Sequence, residues 1–312
     1  MSYLSTKAKA WFIISLLVIT VGAIATPNWG AESACLAPTT KLSNLQLQSA
    51  KSPLFTSAQL KHNCPRGEGK NPKDDLIPYI ISPRRTTILN PQPLLRWNSL
   101  PSASTYTVEI FETDNAEPLW TQETNQDRVQ YDGPPLLSGK TYFLVVDTPE
   151  SEPSSAEETN ISFEVLNPDD AAHVRERAAS ILNLETSETE RSLLLAHLYF
   201  GYHLNAEAIA VLEALPKESK TETVYRLLGD LYNWIYLRRF AIWRYQSAAE
   251  IAEPGTAQLA AVQSRLGQIY ADRAIPEKAR EWLEAALATY QALGNQQRIT
   301  EIQEQLDQLS MP

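Results

Sequence analysis

The sequence predicts a two-part chain in which an all-β sandwich is followed by an all-α solenoid. Short strand-like runs separated by turn residues fill residues 78–167, and helical periodicity takes over in residues 168–312. Within the second part, Leu228–Tyr232 and Leu266–Tyr270 are near copies of one another, Leu-Gly-Asp-Leu-Tyr and Leu-Gly-Gln-Ile-Tyr. An internal repeat of this kind is typical of stacked helical units.

The chain begins with the features of a secretory signal peptide. Lys7 and Lys9 precede an uncharged run from Trp11 to Ala25, which ends in the small residues of a cleavage site, Ala23-Ile24-Ala25. We expect residues 1–25 to be removed and the protein to be exported to the periplasm or the exterior of a bacterial-type envelope. The alternative is an uncleaved membrane anchor, although the apolar run is shorter than the roughly 20 residues that a span needs.

Composition and charge limit the classes of partner. The 312 residues are 43% hydrophobic and 21% charged, which is ordinary for a globular protein of about two domains. The formal net charge is −10, and loss of Lys7 and Lys9 with the signal peptide would make it −12. Because no basic stripe accompanies this acidic balance, nucleic acid is not expected as a partner.

Residues 26–77 contain both cysteines, Cys35 and Cys64. In an exported protein an even pair predicts a disulfide. The bond would close a loop of about thirty residues and stabilise the fold by about 3 kcal/mol in the chain-entropy model. The spacing does not match a Cys-x-x-Cys metal site, and only His62 lies near. The polar, turn-rich residues 66–75 are predicted to be a linker.

Strand-like runs begin after the linker and are separated by Pro, Gly, Asn and Asp. They cover residues 79–81, 94–97, 106–111, 119–120, 128–131, 142–146 and 161–165. About seven short strands in some ninety residues predict two packed sheets.

This part of the chain resembles a fibronectin type III or related immunoglobulin-like domain. The resemblance rests on Trp97, on Tyr106 and on Leu136-x-x-Gly139-x-x-Tyr142, which is similar to the tyrosine corner of that family. Ser138 stands where the family usually has Pro. The resemblance implies that Trp97 lies in the core and that the Tyr142 hydroxyl bonds to the backbone.

Each unit of the helical part consists of two apolar stripes at helical spacing. The middle unit has Tyr225, Leu228, Gly229 and Tyr232, then Ala241, Tyr245 and Ala248. The last unit has Leu266, Gly267 and Tyr270, then Ala279, Leu283 and Ala286. A weaker upstream unit has Leu195, Ala196, Tyr199, Ala208, Leu212 and Leu215. Because neither helix can bury its stripe alone, the units must stack, and the small residues allow two helices to approach closely.

These units resemble the tetratricopeptide repeat (TPR). Ala196 takes the Gly place in the upstream unit, and Tyr225 replaces the early Trp of the family. The 38 residues from Gly229 to Gly267 exceed the family period of about 34 residues, and we place the extra length in the turn Pro254-Gly255-Thr256. The resemblance implies about three helical hairpins with a flanking helix at each end, and a surface that binds protein.

Helix start and stop signals bound the repeat region. Asn167-Pro168-Asp169-Asp170 combines a capping side chain, Pro in the first turn and acids near the positive helix end. Ser187-x-x-Glu190 predicts a capping box. Gly294-Asn295 predicts a helix end, and the stripe that follows it predicts a closing helix. That stripe consists of Ile299, Ile302, Leu306 and Leu309.

In the TPR family the first helix of each unit lines a concave groove. The resemblance places in this groove His197, Phe200, Arg226, Asp230, Asn233, Trp234, Arg265, Gln268 and Asp272. Arg226 and Arg265 would take the carboxylates of an extended peptide, and Trp234 would take an apolar side chain. Asn233 and Gln268 would bond the peptide backbone. The alternative is that these are ordinary solvated charges and that Trp234 packs inside.

An aromatic and basic cluster is predicted at one hairpin tip. It consists of Trp234, Tyr236, Arg238, Arg239, Trp243, Arg244 and Tyr245. The cluster either contacts an acidic partner or a membrane headgroup, or it consists of core aromatics covered by arginine stems. We favour the second interpretation, which expects the tryptophans and Tyr245 to be buried.

No motif predicts catalysis, a metal or a cofactor. The four histidines do not form His-Glu-x-x-His, and neither a Gly-x-Ser-x-Gly elbow nor a phosphate-binding glycine loop occurs. We therefore expect a non-catalytic adaptor that binds another envelope or secreted protein, with membrane contact only if the N-terminal segment stays uncleaved. One alternative is polysaccharide binding by an exposed face of Trp120, Tyr131 and Tyr142. The other is a non-catalytic subunit of an envelope enzyme.

Overall fold

The structure is a computed structural model that describes residues 77–113, 115–156 and 161–310, all within one compact unit. The predicted signal peptide, the Cys35–Cys64 disulfide and the linker at 66–75 lie outside the described residues and stay predictions. In the part of the chain that is described, no helix is both long enough and apolar enough to cross a bilayer.

Eight strands form two sheets in the first part of the described chain. They are β1 Ile80–Ser82, β2 Thr86–Ile88, β3 Leu94–Trp97, β4 Tyr106–Glu112, β5 Trp120–Thr124, β6 Arg128–Gln130, β7 Thr141–Asp147 and β8 Phe163–Val165. One sheet has the order β1-β3-β6 and the other β2-β8-β7-β4-β5. All neighbours are antiparallel except β2 and β8, which are parallel. Side chains of both sheets meet in one core, where the predicted core residue Trp97 is buried against Tyr106.

Strand β2 was not predicted from the sequence, whereas each of the seven strand-like runs overlaps a strand. Strand β2 is only three residues long. It follows Arg84 and Arg85 and precedes Asn90 and Pro91, and such polar, proline-containing flanks are typical of a turn. Its pairing partner β8 lies more than seventy residues further along the chain. Because the pairing is non-local, no local pattern marks the strand.

The hydrogen bond between the Tyr142 hydroxyl and the backbone, which the resemblance implies, is present. Tyr142 is buried, and its hydroxyl accepts a hydrogen bond of 2.9 Å from the amide of Leu137. The contact ties the loop before β7 to the strand itself. It therefore links the local turn to the packing of the core.

We expect Tyr142→Phe to lower the free energy of unfolding by about 1 kcal/mol, because the Leu137 amide loses its acceptor while the ring packing is kept. Urea unfolding followed by circular dichroism would measure the change. Tyr225→Phe is a suitable control, since Tyr225 is also buried and its hydroxyl makes no hydrogen bond within the described residues. Equal midpoints for the two variants would show that the corner does not stabilise the fold.

Eight helices follow the sheets. They are α1 Pro168–Leu182, α2 Glu188–Gly201, α3 Asn205–Glu213, α4 Glu222–Trp234, α5 Arg238–Ile251, α6 Ala257–Asp272, α7 Pro276–Ala292 and α8 Gln296–Gln308. The predicted start signals are confirmed, since Asn167 caps α1 and Ser187 forms a capping box with Glu190 at α2. Helix α7 ends before Gly294, which has a φ of 68°, and α8 buries Ile299 and Ile302.

Close approach of paired helices at the repeated glycines is confirmed. Helix α4 packs on α5 and helix α6 on α7. A Cβ atom on Gly229 would lie 2.5 Å from the ring of Tyr245, and one on Gly267 would lie 2.6 Å from Cγ of Leu283. No side chain other than hydrogen fits at either position without displacing its neighbour. The glycines therefore set the spacing of the two helix pairs.

The sheets and the helices share a buried junction. Ile77 and Tyr79 belong to the same core cluster as α3, α4 and α5. Buried Arg84 donates from Nε to the carbonyl of Ile235 at 2.8 Å and from Nη1 to the carbonyl of Ile80 at 3.2 Å. Bonds from both parts of the chain thus meet on one guanidinium, and the junction fixes the strands on the helices.

Candidate functional site

The residues predicted to line a groove lie on three alternating helices, α2, α4 and α6. His197 and Phe200 lie on α2, and Arg265, Gln268 and Asp272 lie on α6. Arg226, Asp230, Asn233 and Trp234 lie on α4. The opposite stripe of α4, with Leu228 and Tyr232, is buried. Helical periodicity therefore turns the polar stripe away from the core. We call the surface formed by these nine residues the α2–α4–α6 face.

Asp230 is the polar centre of this face. Its carboxylate lies 3.2 Å from Nη1 of Arg226 and 3.9 Å from Nε of Arg265, and it accepts a hydrogen bond of 2.6 Å from the Tyr245 hydroxyl. Burial, reinforced by the Asp230 charge, raises the pKa of Tyr245 well above its ordinary value, so this hydroxyl stays protonated and donates. Asp230 thus joins α4, α5 and α6.

The two arginines of the face have further partners on their own helices. Arg226 Nε lies 3.6 Å from Oε1 of Glu222, and Arg265 Nη1 donates to Oε1 of Gln268 at 3.1 Å. A ligand carboxylate would have to compete with these contacts for either guanidinium. It would also approach the carboxylates of Glu222 and Asp230, which would repel it.

His197 lies beside this network on the neighbouring helix. The side chain reaches solvent, yet partial burial lowers its pKa, the positive charge of Arg226 lowers it further, and Asp230 opposes the shift. The lowered pKa favours the uncharged form of the imidazole near neutral pH. In that form His197 contributes a hydrogen-bonding group to the face without adding a charge.

Phe200 and Trp234 form an aromatic pair across α2 and α4. Their ring centroids lie 5.8 Å apart with an interplanar angle of 86°, an edge-to-face contact. Trp234 is 39% exposed and Phe200 is half-buried. Both residues were predicted at the face, but the pairing itself was not. It places an apolar, partly exposed surface next to the charged network.

Two of the predicted residues stand apart from the network. Asn233 is half-buried, and within the described ranges its side chain makes no hydrogen bond. Asp272, at the end of α6, makes no ion pair there with the other residues of the face. Burial raises its pKa, and Arg238 on α5 opposes that shift. The structure thus brings His197, Arg226, Asp230, Arg265 and Gln268 together and leaves Asp272 at the margin.

Sequence reasoning missed Glu222 and the hydroxyl of Tyr245 as members of the network. Glu222, Arg226 and Asp230 follow one another at intervals of four residues, which is the spacing of helical ion pairs. That signal was available in the sequence. The Tyr245 contact depends on how α5 packs on α4 and has no local signal.

The aromatic and basic cluster differs in part from expectation. Tyr245 is buried as expected, but Trp234 and Trp243 are 39% and 48% exposed, so the expectation that the tryptophans are core residues is wrong. Arg239 stacks over the Trp243 ring at 4.9 Å. The reason is that Trp243 lies on the outer side of α5, where an arginine one turn away covers part of the ring.

Trp120, Tyr131 and Tyr142 do not form the exposed aromatic face that the polysaccharide-binding alternative requires. Tyr131 and Tyr142 are only 2% and 1% exposed, and the half-buried Trp120 packs edge-to-face on Tyr131 at 5.3 Å. Strand alternation turns Tyr142 inward with Leu144 and Val146. Tyr131 and Tyr142 therefore fill the core and Trp120 packs against it, so the three rings form no flat exposed surface for a sugar.

Among the described residues, no group of three or more His, Cys, Asp or Glu side chains is placed to hold a metal ion. Separately, the contacts described above show that the face consists of hydrogen-bonding, ionic and aromatic groups.

No protein-family model and no curated protein matches the chain. The chain is similar to the crystal structure of MamA, with 21% identity and a TM-score of 0.32 over 45% of this chain and 85% of that one. It is also similar to BtubC (BKLC) from P. vanneervenii, with 18% identity and a TM-score of 0.33 over 46% of this chain and 72% of that one.

A third similar structure contains the nearly identical TPR-like repeats of a Podosopora anserina protein described as a kinesin light chain. It shares 18% identity with a TM-score of 0.32 over 45% of this chain and 85% of that one. TM-scores of this size carry no conclusion about this chain. Its repeat geometry rests on the glycine contacts and the helix packing described above.

Proposed function

We propose that the protein is a non-catalytic exported adaptor that holds a segment of another envelope or secreted protein on the α2–α4–α6 face. The observation that supports this proposal is the continuity of the face. Helices α2, α4 and α6, which alternate with α3 and α5 along the chain, all contribute to it. The contacts of Arg226, Asp230 and Arg265 link α4 and α6. Phe200 and Trp234 extend it onto α2. Partly exposed aromatic and arginine side chains are the residue types that dominate protein interfaces.

In this proposal the helices form three TPR-like hairpins, with α1 and α8 as flanking helices. The two sheets are an immunoglobulin-like sandwich, and the buried junction makes them a rigid neighbour of the repeats. Export rests on the predicted signal peptide at residues 1–25. The sandwich would then act as a spacer or as a second contact surface.

Affinity capture from a native envelope extract tests the proposal, with the purified full chain as bait. A variant bait carries Arg226→Ala, Trp234→Ala and Arg265→Ala. We expect at least one captured protein to be lost with this variant, because truncating interface anchors commonly weakens binding by about tenfold or more.

A matched control bait carries the same three types of substitution on helices outside the face. They are Arg239→Ala and Trp243→Ala on α5 and Arg280→Ala on α7. Thermal unfolding would first establish that both variants are folded. A protein retained by the control but lost with the first variant supports binding at the α2–α4–α6 face. Identical capture by all three baits would contradict the proposal and direct attention to the sheets or to residues 26–77.

A further inference from the structure

The ion-pair network on the α2–α4–α6 face, together with the adjacent Glu222, balances its own charges. Arg226 contacts both Glu222 and Asp230, and Arg265 contacts Asp230 and Gln268. These residues contribute two positive and two negative charges, and the lowered pKa of His197 favours its uncharged form. An acidic ligand would therefore meet no net positive field here, and it would exchange existing ion pairs for new ones.

Tyr245 makes the network more rigid. Its buried hydroxyl donates to Asp230 from beneath the face, and Asp230 is in turn the carboxylate that holds both arginines. Turning Arg226 or Arg265 towards a ligand would leave this carboxylate with fewer donors. Because breaking one member of a partly buried network costs more than an exposed pair gains, the network favours staying closed.

The apolar part of the face has the opposite character. Trp234 is 39% exposed, and the edge of Phe200 lies against it from the neighbouring helix. Covering exposed aromatic surface releases ordered water, which favours binding. A large apolar side chain gains most at this end of the face.

We propose that the partner segment is anchored by a large apolar side chain, aromatic or leucine, that packs against Phe200 and Trp234, and that no acidic side chain is needed. This inference rests on the proposed function and deepens it by stating the chemistry of the partner. It also changes the roles expected for Arg226 and Arg265. They hold the floor of the face in shape, and the aromatic pair supplies the affinity.

A phage-displayed random dodecapeptide library, selected on the purified full chain, tests the inference. Selected peptides would then be synthesised and titrated by fluorescence anisotropy. We expect them to share Trp, Phe or Leu and to show no enrichment in Asp or Glu. Their affinity should fall at least about tenfold with Phe200→Ala or Trp234→Ala, less than about threefold with Arg265→Gln, and change little when salt is raised.

Phe200 is partly buried against the core, so Trp234→Ala tests the same pair from its exposed side if Phe200→Ala unfolds. Trp243→Ala, an exposed tryptophan on α5, is the matched control and should leave binding unchanged.

Acidic peptides whose binding weakens with salt and with Arg226→Gln would overturn this inference and leave the proposed function standing. If no peptide is recovered, or if no substitution on the face changes peptide affinity, both this inference and the proposed function would be overturned.

Discussion

Replacing Gly229 with alanine is expected to lower the free energy of unfolding by about 1–3 kcal/mol, although alanine is the better helix former by about 1 kcal/mol. The added Cβ would lie 2.5 Å from Cε1 and 2.6 Å from Cδ1 of Tyr245. That ring is fully buried, and its hydroxyl is bonded to Asp230 at 2.6 Å. A rigid ring held at both ends cannot move aside, so α4 and α5 must separate.

Gly201→Ala is the matched control for this prediction. Gly201 is the last residue of α2, and no heavy atom lies within 4 Å of the place where its Cβ would be. The control should unfold at the same urea concentration as the parent or at a slightly higher one, because only the helix propensity changes. If both variants shifted equally, contact with Tyr245 would not be what restricts position 229.

Gly229 also shows why this part of the fold was predictable. The repeated Leu-Gly-x-x-Tyr places a residue without a side chain at one point of each helix, and close approach follows from that alone. The helix caps at Asn167 and Ser187 were predictable for the same reason, since each depends on residues three or four positions away. Contacts that depend on residues a few positions apart can be predicted from a single sequence.

Strand β2 and the junction depend instead on contacts between residues far apart in the sequence. Arg84 bonds to Ile235, which lies 151 residues further along the chain, and its burial could not be predicted from its neighbours. An arginine in a polar, turn-like stretch reads as a solvated charge. Only the packing of strands on helices makes its guanidinium a buried donor to two carbonyl groups.

The candidate site lies between these two cases. Helical spacing correctly placed Arg226, Asp230 and Trp234 together away from the core stripe of α4. The sequence did not say whether the arginines were available for a ligand, because that depends on Tyr245 and on the approach of α6 to α4. Residue positions were therefore predictable, and the charge balance of the face was not.

Glu213 offers the second large effect, because it joins the sheets to three helices. From α3 it lies 3.3 Å from Nη1 of Arg96 on β3 and 3.0 Å from Nη2 of Arg244 on α5, and it accepts a hydrogen bond of 2.5 Å from the Tyr232 hydroxyl on α4. Glu213→Gln keeps the shape and removes the charge. We expect it to lower the free energy of unfolding by about 2–3 kcal/mol, less than for a fully buried network because both arginines are partly exposed.

The pH dependence of unfolding separates the charge of Glu213 from its shape. Burial alone would raise the pKa of Glu213, but the Tyr232 hydrogen bond and the charges of Arg96 and Arg244 outweigh it and hold the pKa below its ordinary value. A carboxyl whose pKa is lower in the folded state stabilises the protein above its unfolded pKa of about 4.3, and this stability is lost as the pH falls through the folded value.

The difference in unfolding free energy between the parent and Glu213→Gln should therefore be largest near pH 7 and should shrink below about pH 4. Urea titrations at pH 7, 5, 4 and 3 would measure it. Glu281→Gln, at an exposed position of α7, controls for loss of an ordinary surface carboxylate and should show no such trend. A difference for Glu213→Gln that stayed constant across this range would assign the effect to altered packing, and the ionised carboxylate would then not be what holds the strands on the helices.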